Sequence, residues 1–207
     1  VSAPYNLDDM AADTVGLLDA LELPAAHLVG MSMGGMISQI VAGRYPDRVL
    51  SLTSIMSTSG ERGKGEASLK VSLKMVQPVS KDKTPLDIAV DIWQMLCGPA
   101  YPMTDGEIRA QVIAEHKRSS NPAGYMRQIS AIRTSPSRVA LLNAIKVPTL
   151  IIHGNQDVLV PVSGGIDTAK HIAHAELVRF EGMGHTLPRE LLETFADLIV
   201  NNSAVQT

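Results

Sequence analysis

The feature that most constrains the fold is the pentapeptide GMSMG at residues 30–34, which matches G-x-S-x-G. It stands between the apolar run HLV at residues 27–29, typical of a buried strand, and a stretch of helical composition. A serine on a sharp strand-to-helix turn adopts strained backbone, and the flanking glycines let strand and helix pack closely. We therefore predict that Ser32 is a nucleophile. We also predict that the Met33 N–H, at the positive end of a helix, is an oxyanion donor.

The rest of the chain alternates helix and strand patterns. Helices are predicted at residues 6–21, 32–45 and 187–200, and strands at 27–29, 49–56, 149–153 and 176–180. In the first helix one apolar face is shared by Met10, Thr14, Leu17, Leu18 and Leu21. Strands that alternate with helices indicate an α/β fold class with a parallel sheet and right-handed crossovers.

The middle of the chain departs from this alternation. Between residues 57 and 136 only helical stretches are found, near 67–76, 86–96, 105–117 and 123–132, punctuated by prolines. We interpret residues 58–135 as a compact helical insertion. Residues 1–57 and 136–207 would then form the two parts of the core. The glycine-rich segment 60–66 reads as a solvated loop, with a lid hinge as the alternative.

Two further residues follow predicted strands. A serine hydroxyl needs a general base, and the base needs a group that fixes its tautomer. Asp157 follows the strand at 149–153, and His185 follows the strand at 176–180. Because parallel strands end at one edge of a sheet, both should lie near Ser32. We predict Asp157 as the triad acid and His185 as the general base, while His153 is expected to order the strand-end turn.

These motifs resemble those of α/β-hydrolases of the serine esterase type. The resemblance rests on GMSMGG, HGNQDVLVP and GMGH, on YPDRV after the nucleophile helix, and on the order Ser, Asp, His. A narrower similarity is to bacterial carboxylic-ester hydrolases near the anthracycline (aclacinomycin) methylesterases. The resemblance implies the α/β-hydrolase fold, with residues 58–135 as a helical cap over the active site. It also implies hydrolysis of a small to medium hydrophobic carboxylic ester through an acyl-enzyme, without a cofactor.

Substrate contacts are predicted from the cap and from residues near the nucleophile. Trp93 and Tyr101 are available as apolar lining of the cap. Met31 and Met183 lie near the predicted site, where core packing is the alternative to an adaptable acyl pocket.

Other interpretations of the same residues stay open. The same triad would serve a thioesterase, a C–C bond hydrolase or a perhydrolase, whereas epoxide hydrolases and dehalogenases need an aspartate at position 32. A non-catalytic binding or assembly protein that keeps the fold is the rival from another class. His171 and His174 are three residues apart, but no carboxylate or cysteine cluster accompanies them, so we expect no metal site.

Composition argues against several classes of partner. A net charge of −3 over 207 residues gives no electrostatic reason to expect nucleic acid or an anionic membrane. No apolar run approaches the roughly 20 residues of a transmembrane helix. The single cysteine, Cys97, fits a reducing compartment, and we therefore expect a cytoplasmic protein whose partner is a small-molecule ester.

The first residues of the chain are expected to be an interior position of the fold. The chain opens with VSAPY, without an initiator Met, whereas the resembling family carries four earlier strands and a loop that supplies a second oxyanion donor. We expect that donor to lie outside this chain. The strand at 27–29 would keep its partner on the Leu52 side and lose the other. A missing N-terminal segment, a bound fragment or a homodimer should cover that edge.

Overall fold

A four-stranded parallel sheet forms the centre of the computed structural model, which describes residues 4–76, 82–119 and 121–205. The strands are β1 (Ala26–Met31), β2 (Val49–Ile55), β3 (Thr149–Gly154) and β4 (Glu176–Phe180), adjacent in that order. Each neighbouring pair is parallel. The predicted α/β class is therefore confirmed.

Helices connect and cover the strands. The core contains α1 (Leu7–Ala20), α2 (Met33–Arg44), α7 (Val139–Leu142), α8 (Ser163–Lys170) and α9 (Leu192–Ala204). Between β2 and β3 lie α3 (Leu69–Met75), α4 (Pro85–Leu96), α5 (Asp105–Arg118) and α6 (Pro122–Thr134). These four helices match the predicted helical stretches. In the described ranges, no helix is both long and apolar enough to cross a membrane.

Two helix details differ from the sequence-based prediction. In α1 the buried residues are Leu7, Ala11 and Leu18, whereas Leu17 and Leu21 of the predicted face are 59% and 58% exposed. The buried face is rotated because α1 packs on α2, where the small Ala11 allows a close approach. The final helix, α9, begins at Leu192 and not at residue 187 as predicted, because residues 189–191 form a separate 3₁₀ turn.

The core is divided between the two faces of the sheet. One cluster joins α1 and α2 to the sheet and includes Leu7, Ile40 and Leu52. The other joins α9 to the sheet and includes Ile152 and Phe195. β3 is buried along its whole length, and its Leu150 and Ile152 belong to the second cluster.

Within the described residues, β1 lies at one edge of the sheet. It pairs with β2 in the predicted register, Leu28 opposite Leu52. Val29 and Met31 are 50% and 46% exposed, so the expectation of a buried strand at 27–29 is wrong for one of its faces. The physical reason is that Leu28 faces the cluster of α1 and α2, whereas α9, on the other face of the sheet, packs on β2 and β3.

The turn from β1 into α2 is unusually tight. Ser32 separates the two elements with a left-handed backbone, φ 53° and ψ −118°. A Cβ at Gly30 would lie 2.2 Å from the carbonyl oxygen of Gly34, far inside van der Waals contact. A side chain at Gly30 therefore cannot fit unless strand and helix separate.

This geometry predicts different effects for two neighbouring glycines. Gly30→Ala should lower the free energy of unfolding by about 1–3 kcal/mol or more, as overpacking does in a tight core. Gly34→Ala is the matched control, because no atom lies within 4 Å of its added Cβ and alanine is the better helix former. Urea denaturation measures both changes. Equal stability of the two variants would contradict the tight-turn assignment.

Candidate active site

Ser32 is held in its strained backbone by hydrogen bonds from neighbouring elements. Its N–H donates to the Ile55 carbonyl at 2.9 Å, which continues the pairing of β1 with β2. Its carbonyl accepts the Ser57 hydroxyl at 2.8 Å and the Met36 N–H at 3.2 Å. A non-glycine residue at positive φ costs of order 1–3 kcal/mol, so the surroundings must determine this conformation.

The structure brings Ser32, His185 and Asp157 together, although they are far apart in sequence. His185 Nδ1 lies 2.6 Å from Asp157 Oδ2, and His185 Nε2 lies 3.0 Å from Ser32 Oγ. A carboxylate accepts hydrogen bonds, so the proton of a neutral imidazole belongs on Nδ1, which leaves Nε2 as an acceptor for the serine hydroxyl.

Asp157 is buried in the loop that follows β3, and its two oxygens have different partners. Oδ1 accepts the N–H groups of Leu159 and Val160 at 2.9 and 2.8 Å, which leaves Oδ2 for His185. Burial opposes the charged form, but the contacts from His153 and His185 outweigh it, and the pKa of the Asp157 carboxyl lies below its usual value. The ionised acceptor that holds His185 is thus favoured.

His153, at the end of β3, supports the loop of Asp157. The ring is fully buried, and its Nε2 lies 2.7 Å from the Val160 carbonyl, as expected for a residue that orders the turn. Nε2 is also 3.6 Å from Asp157 Oδ2, too long for a hydrogen bond but close enough for electrostatic attraction. Nδ1 has no hydrogen-bond partner in the described part of the chain.

The loop that carries His185 packs backbone against backbone on the end of α4. The His185 N–H donates to the Leu96 carbonyl at 2.8 Å, and the Ala100 N–H donates to the Gly182 carbonyl at 3.1 Å. A Cβ at Gly98 would lie 2.0 Å from the Gly182 carbonyl oxygen, and one at Gly184 would lie 2.2 Å from the Leu96 carbonyl oxygen. The position of His185 therefore depends on the helical insertion as well as on the sheet.

A cavity of about 640 Å³ opens beside Ser32. Its walls come from the start of α2, the loop after β2, α3, α6 and the residue before α7. Met33 lines the cavity at the first position of α2, where a backbone N–H has no acceptor within the helix. The site thus combines a hydroxyl, a base with its orienting carboxylate, a free amide and space for an organic substrate.

The four residues predicted to bind substrate lie outside the lining of this cavity. Met183 is fully buried in the core cluster of Phe195, and Tyr101 packs against the same cluster. Trp93 is half-buried on α4, and Met31 is exposed at the end of β1. Their role in substrate binding stays a prediction.

Sequence reasoning missed most of the residues that do line the cavity. The segment 60–66, interpreted as a solvated loop, contributes Gly60, Glu61 and residues 64–66 to the wall, and the neighbouring Ala67 lines it as well. Arg138 is buried beside them, and no motif around it indicates a site. In the described residues, no group of three or more His, Cys, Asp or Glu side chains is placed to hold a metal ion.

The contact between α4 and the His185 loop yields a prediction. Gly98→Ala should displace the loop and slow the reaction of Ser32 with a fluorophosphonate by about 10²-fold, since displacements near 1 Å have effects of that size. Gly106→Ala in α5 is the control, because no atom lies within 4 Å of its added Cβ. Circular dichroism establishes that both variants are folded. Folded Gly98→Ala with the parental labelling rate would show that the contact does not position His185.

Comparisons with known proteins agree with this geometry. The family model described as alpha/beta hydrolase fold matches residues 2–79. Rhodomycin D methylesterase of Streptomyces peucetius is 28% identical over 228 residues, which cover 99% of this chain and 75% of that protein. The 2-hydroxymuconate semialdehyde hydrolase of Pseudomonas sp. (strain CF600) is 29% identical over 207 residues, 95% of this chain and 68% of the relative.

Solved structures agree on the fold. The meta-cleavage product hydrolase from Pseudomonas fluorescens IP01 superposes with a TM-score of 0.75 at 24% identity, covering 96% of this chain and 71% of that one. The parallel sheet, the tight turn at Ser32 and the similarity along nearly the whole chain lead to one assignment. The chain has the α/β-hydrolase fold, and the proteins it is similar to include a methylesterase and a semialdehyde hydrolase.

Proposed function

We propose that this protein is a serine hydrolase that cleaves small to medium hydrophobic carboxylic esters through an acyl-enzyme intermediate. The observation that carries the proposal is the hydrogen-bonded series from Ser32 Oγ through His185 to Asp157, at 3.0 and 2.6 Å. Nucleophile, base and orienting carboxylate stand at the separations that such chemistry needs. The methylesterase relatives support an ester as the substrate.

The proposed reaction has two halves. In acylation, Ser32 Oγ attacks the carbonyl carbon while its proton passes to His185 Nε2. The bond to the alcohol oxygen then breaks as the imidazolium returns that proton to the leaving alcohol. In deacylation, water attacks the acyl carbon by the same proton path, which releases the carboxylic acid and restores Ser32. Asp157 stays ionised throughout and stabilises the imidazolium.

The negative charge of each tetrahedral intermediate needs hydrogen-bond donors. We assign one of them to the Met33 N–H, at the positive end of α2. The second donor is unassigned in the described residues and is proposed to come from outside this chain. Removal of one such donor typically lowers turnover by about 10²–10³.

The proposed organisation gives the helical insertion a role in selectivity. Residues 58–135 would act as the cap, and the core would be formed by residues 1–57 and 136–207. The lining from α3 and α6 supports this division, because residues of both helices line the same cavity as Ser32. We also propose that the protein needs no cofactor and resides in the cytoplasm. Turnover that is unchanged after dialysis against a chelator would support the first point. Cell fractionation tests the second.

The relatives support a second candidate, hydrolysis of a carbon–carbon bond. One relative, a 2-hydroxymuconate semialdehyde hydrolase, is 29% identical to this chain. Another, a 2-hydroxy-6-oxononadienedioate/2-hydroxy-6-oxononatrienedioate hydrolase, is 27% identical. A thioesterase would use the same three residues. The measurement that separates these activities is kcat/KM for an oxygen ester, a thioester and a ketone of equal acyl size. A non-catalytic protein would turn over none of them.

The triad proposal predicts strong non-additivity. Ser32→Ala should abolish fluorophosphonate labelling and ester turnover. Ser32→Ala combined with His185→Ala should cost little more than either change alone, because the residues act as a unit. Ser72→Ala is the control for serine reactivity, since Ser72 lines the same cavity but is not part of the hydrogen-bonded series of Ser32, His185 and Asp157. Labelling that persists in Ser32→Ala, or near-normal turnover in Asp157→Ala, would refute the assignment.

The exposed edge of β1 leads to a proposal about assembly. Val29 and Met31 are half exposed, and in the described residues β1 pairs with β2 alone. We propose that further backbone covers this edge, from a longer form of the chain, a bound fragment or a second copy.

Light scattering combined with intact-mass analysis tests this assembly proposal. The expected result is a particle larger than one copy of these 207 residues. A monodisperse monomer of the 207-residue mass with full ester turnover would contradict the proposal.

A further inference from the structure

Arg138 is a buried cation without a carboxylate partner. The residue is 4% exposed, and no ion pair to it is found in the described residues. Burial lowers the pKa of its guanidinium to about 10, which leaves the group charged at neutral pH. Buried charges in proteins are usually paired, so an unpaired guanidinium at a cavity wall needs an explanation.

Two of the guanidinium nitrogens are already in use. Nε donates to the Gln39 side-chain oxygen at 3.0 Å, and Nη2 donates to the Thr58 carbonyl at 2.6 Å. The Gln39 amide is itself held by Ser54, to whose hydroxyl Nε2 donates at 3.2 Å. These contacts hold the guanidinium in one orientation before any ligand binds.

The remaining nitrogen, Nη1, has no hydrogen bond within the described part of the chain. It lies beside Gly60, where an added Cβ would be 3.1 Å from it. Gly60 and Arg138 both line the cavity of Ser32. The absence of a side chain at Gly60 leaves that approach open.

The acidic side chains of the cavity do not neutralise Arg138. Glu61 accepts the Ser137 hydroxyl at 2.9 Å, and Glu66 accepts the Gly63 N–H at 2.8 Å. Asp8, the carboxylate whose charge acts on Arg138, is paired with Arg44 at 3.0 Å. The free donor is therefore available to a ligand in the cavity.

We propose that Arg138 binds a carboxylate at the far end of the substrate's acyl chain, so that the preferred substrates are half-esters of dicarboxylic acids. The inference rests on the proposed ester hydrolysis at Ser32 and names its substrate class. Gln39, which holds Arg138, lies seven residues along α2 from Ser32, about 10 Å of helix. An extended acyl chain of moderate length spans such a distance.

The first test compares p-nitrophenyl esters with equal acyl length and the same leaving group. Glutarate is paired with valerate, and the series runs from four to eight acyl carbons. At the length that fits, kcat/KM for the ω-carboxyl ester should exceed that for the methyl-terminated ester by about tenfold or more, as expected for a charge-assisted hydrogen bond. Hydrolysis of the neutral esters without such a preference at any length would overturn the inference and leave the proposed function intact.

The second test removes the guanidinium. Arg138→Gln should bring the ratio of the two kcat/KM values close to one. Arg133→Gln is the control, because Arg133 lines the same cavity but is exposed, and there the preference should be retained within about twofold. A preference that falls equally in both variants would indicate general electrostatics instead of a built subsite.

A binding measurement makes the test independent of turnover and of the folding of Arg138→Gln. Calorimetry on Ser32→Ala compares glutarate monoamide with pentanamide, and the carboxylate ligand should bind at least about tenfold more tightly. Equal affinities would overturn the proposal for Arg138. Failure of Ser32 to react with a fluorophosphonate would instead count against the proposed hydrolysis.

Discussion

The backbone of Ser32 is the constraint on which the rest of the site depends. Its positive φ is held by the Ile55 carbonyl on one side and the Ser57 hydroxyl on the other. Gly30 lets the strand approach the first turn of α2 more closely than any side chain would allow. The same turn places the hydroxyl, the Met33 amide and the cavity next to one another.

The two partners of Ser32 reach it from loops with different supports. Asp157 is fixed by the turn after β3, where two amides hold one oxygen and buried His153 anchors the Val160 carbonyl. His185 depends instead on the end of α4, through its own N–H and the Leu96 carbonyl. The insertion therefore affects the site in two ways, since it lines the cavity and also supports the His185 loop.

The cavity combines an apolar wall with one buried cation. Met36, Ile132 and Val160 supply surface for hydrocarbon, whereas Arg138 presents a guanidinium already oriented by Gln39 and Thr58. Preorganisation matters here because a guanidinium that is already dehydrated and fixed loses little on binding an anion. A site of this kind discriminates between acyl chains by what stands at their far end.

The sequence alone determined the α/β class, the turn at Ser32 and the strand ends that carry Asp157 and His185. Those features follow from local periodicity and from the rule that parallel strands end at one edge. Tertiary structure decided which face of α1 is buried, because Ala11 and Leu17 lie on different faces of the helix and packing against α2 buries the face of Ala11. It also decided the contacts of Gly98 with Gly182 and of Arg138 with Gln39. The two residues of each pair are far apart in the sequence, 84 positions (182 − 98) in the first pair and 99 in the second, and they share no motif. Such contacts depend on how whole elements pack, and no local pattern in the sequence encodes them.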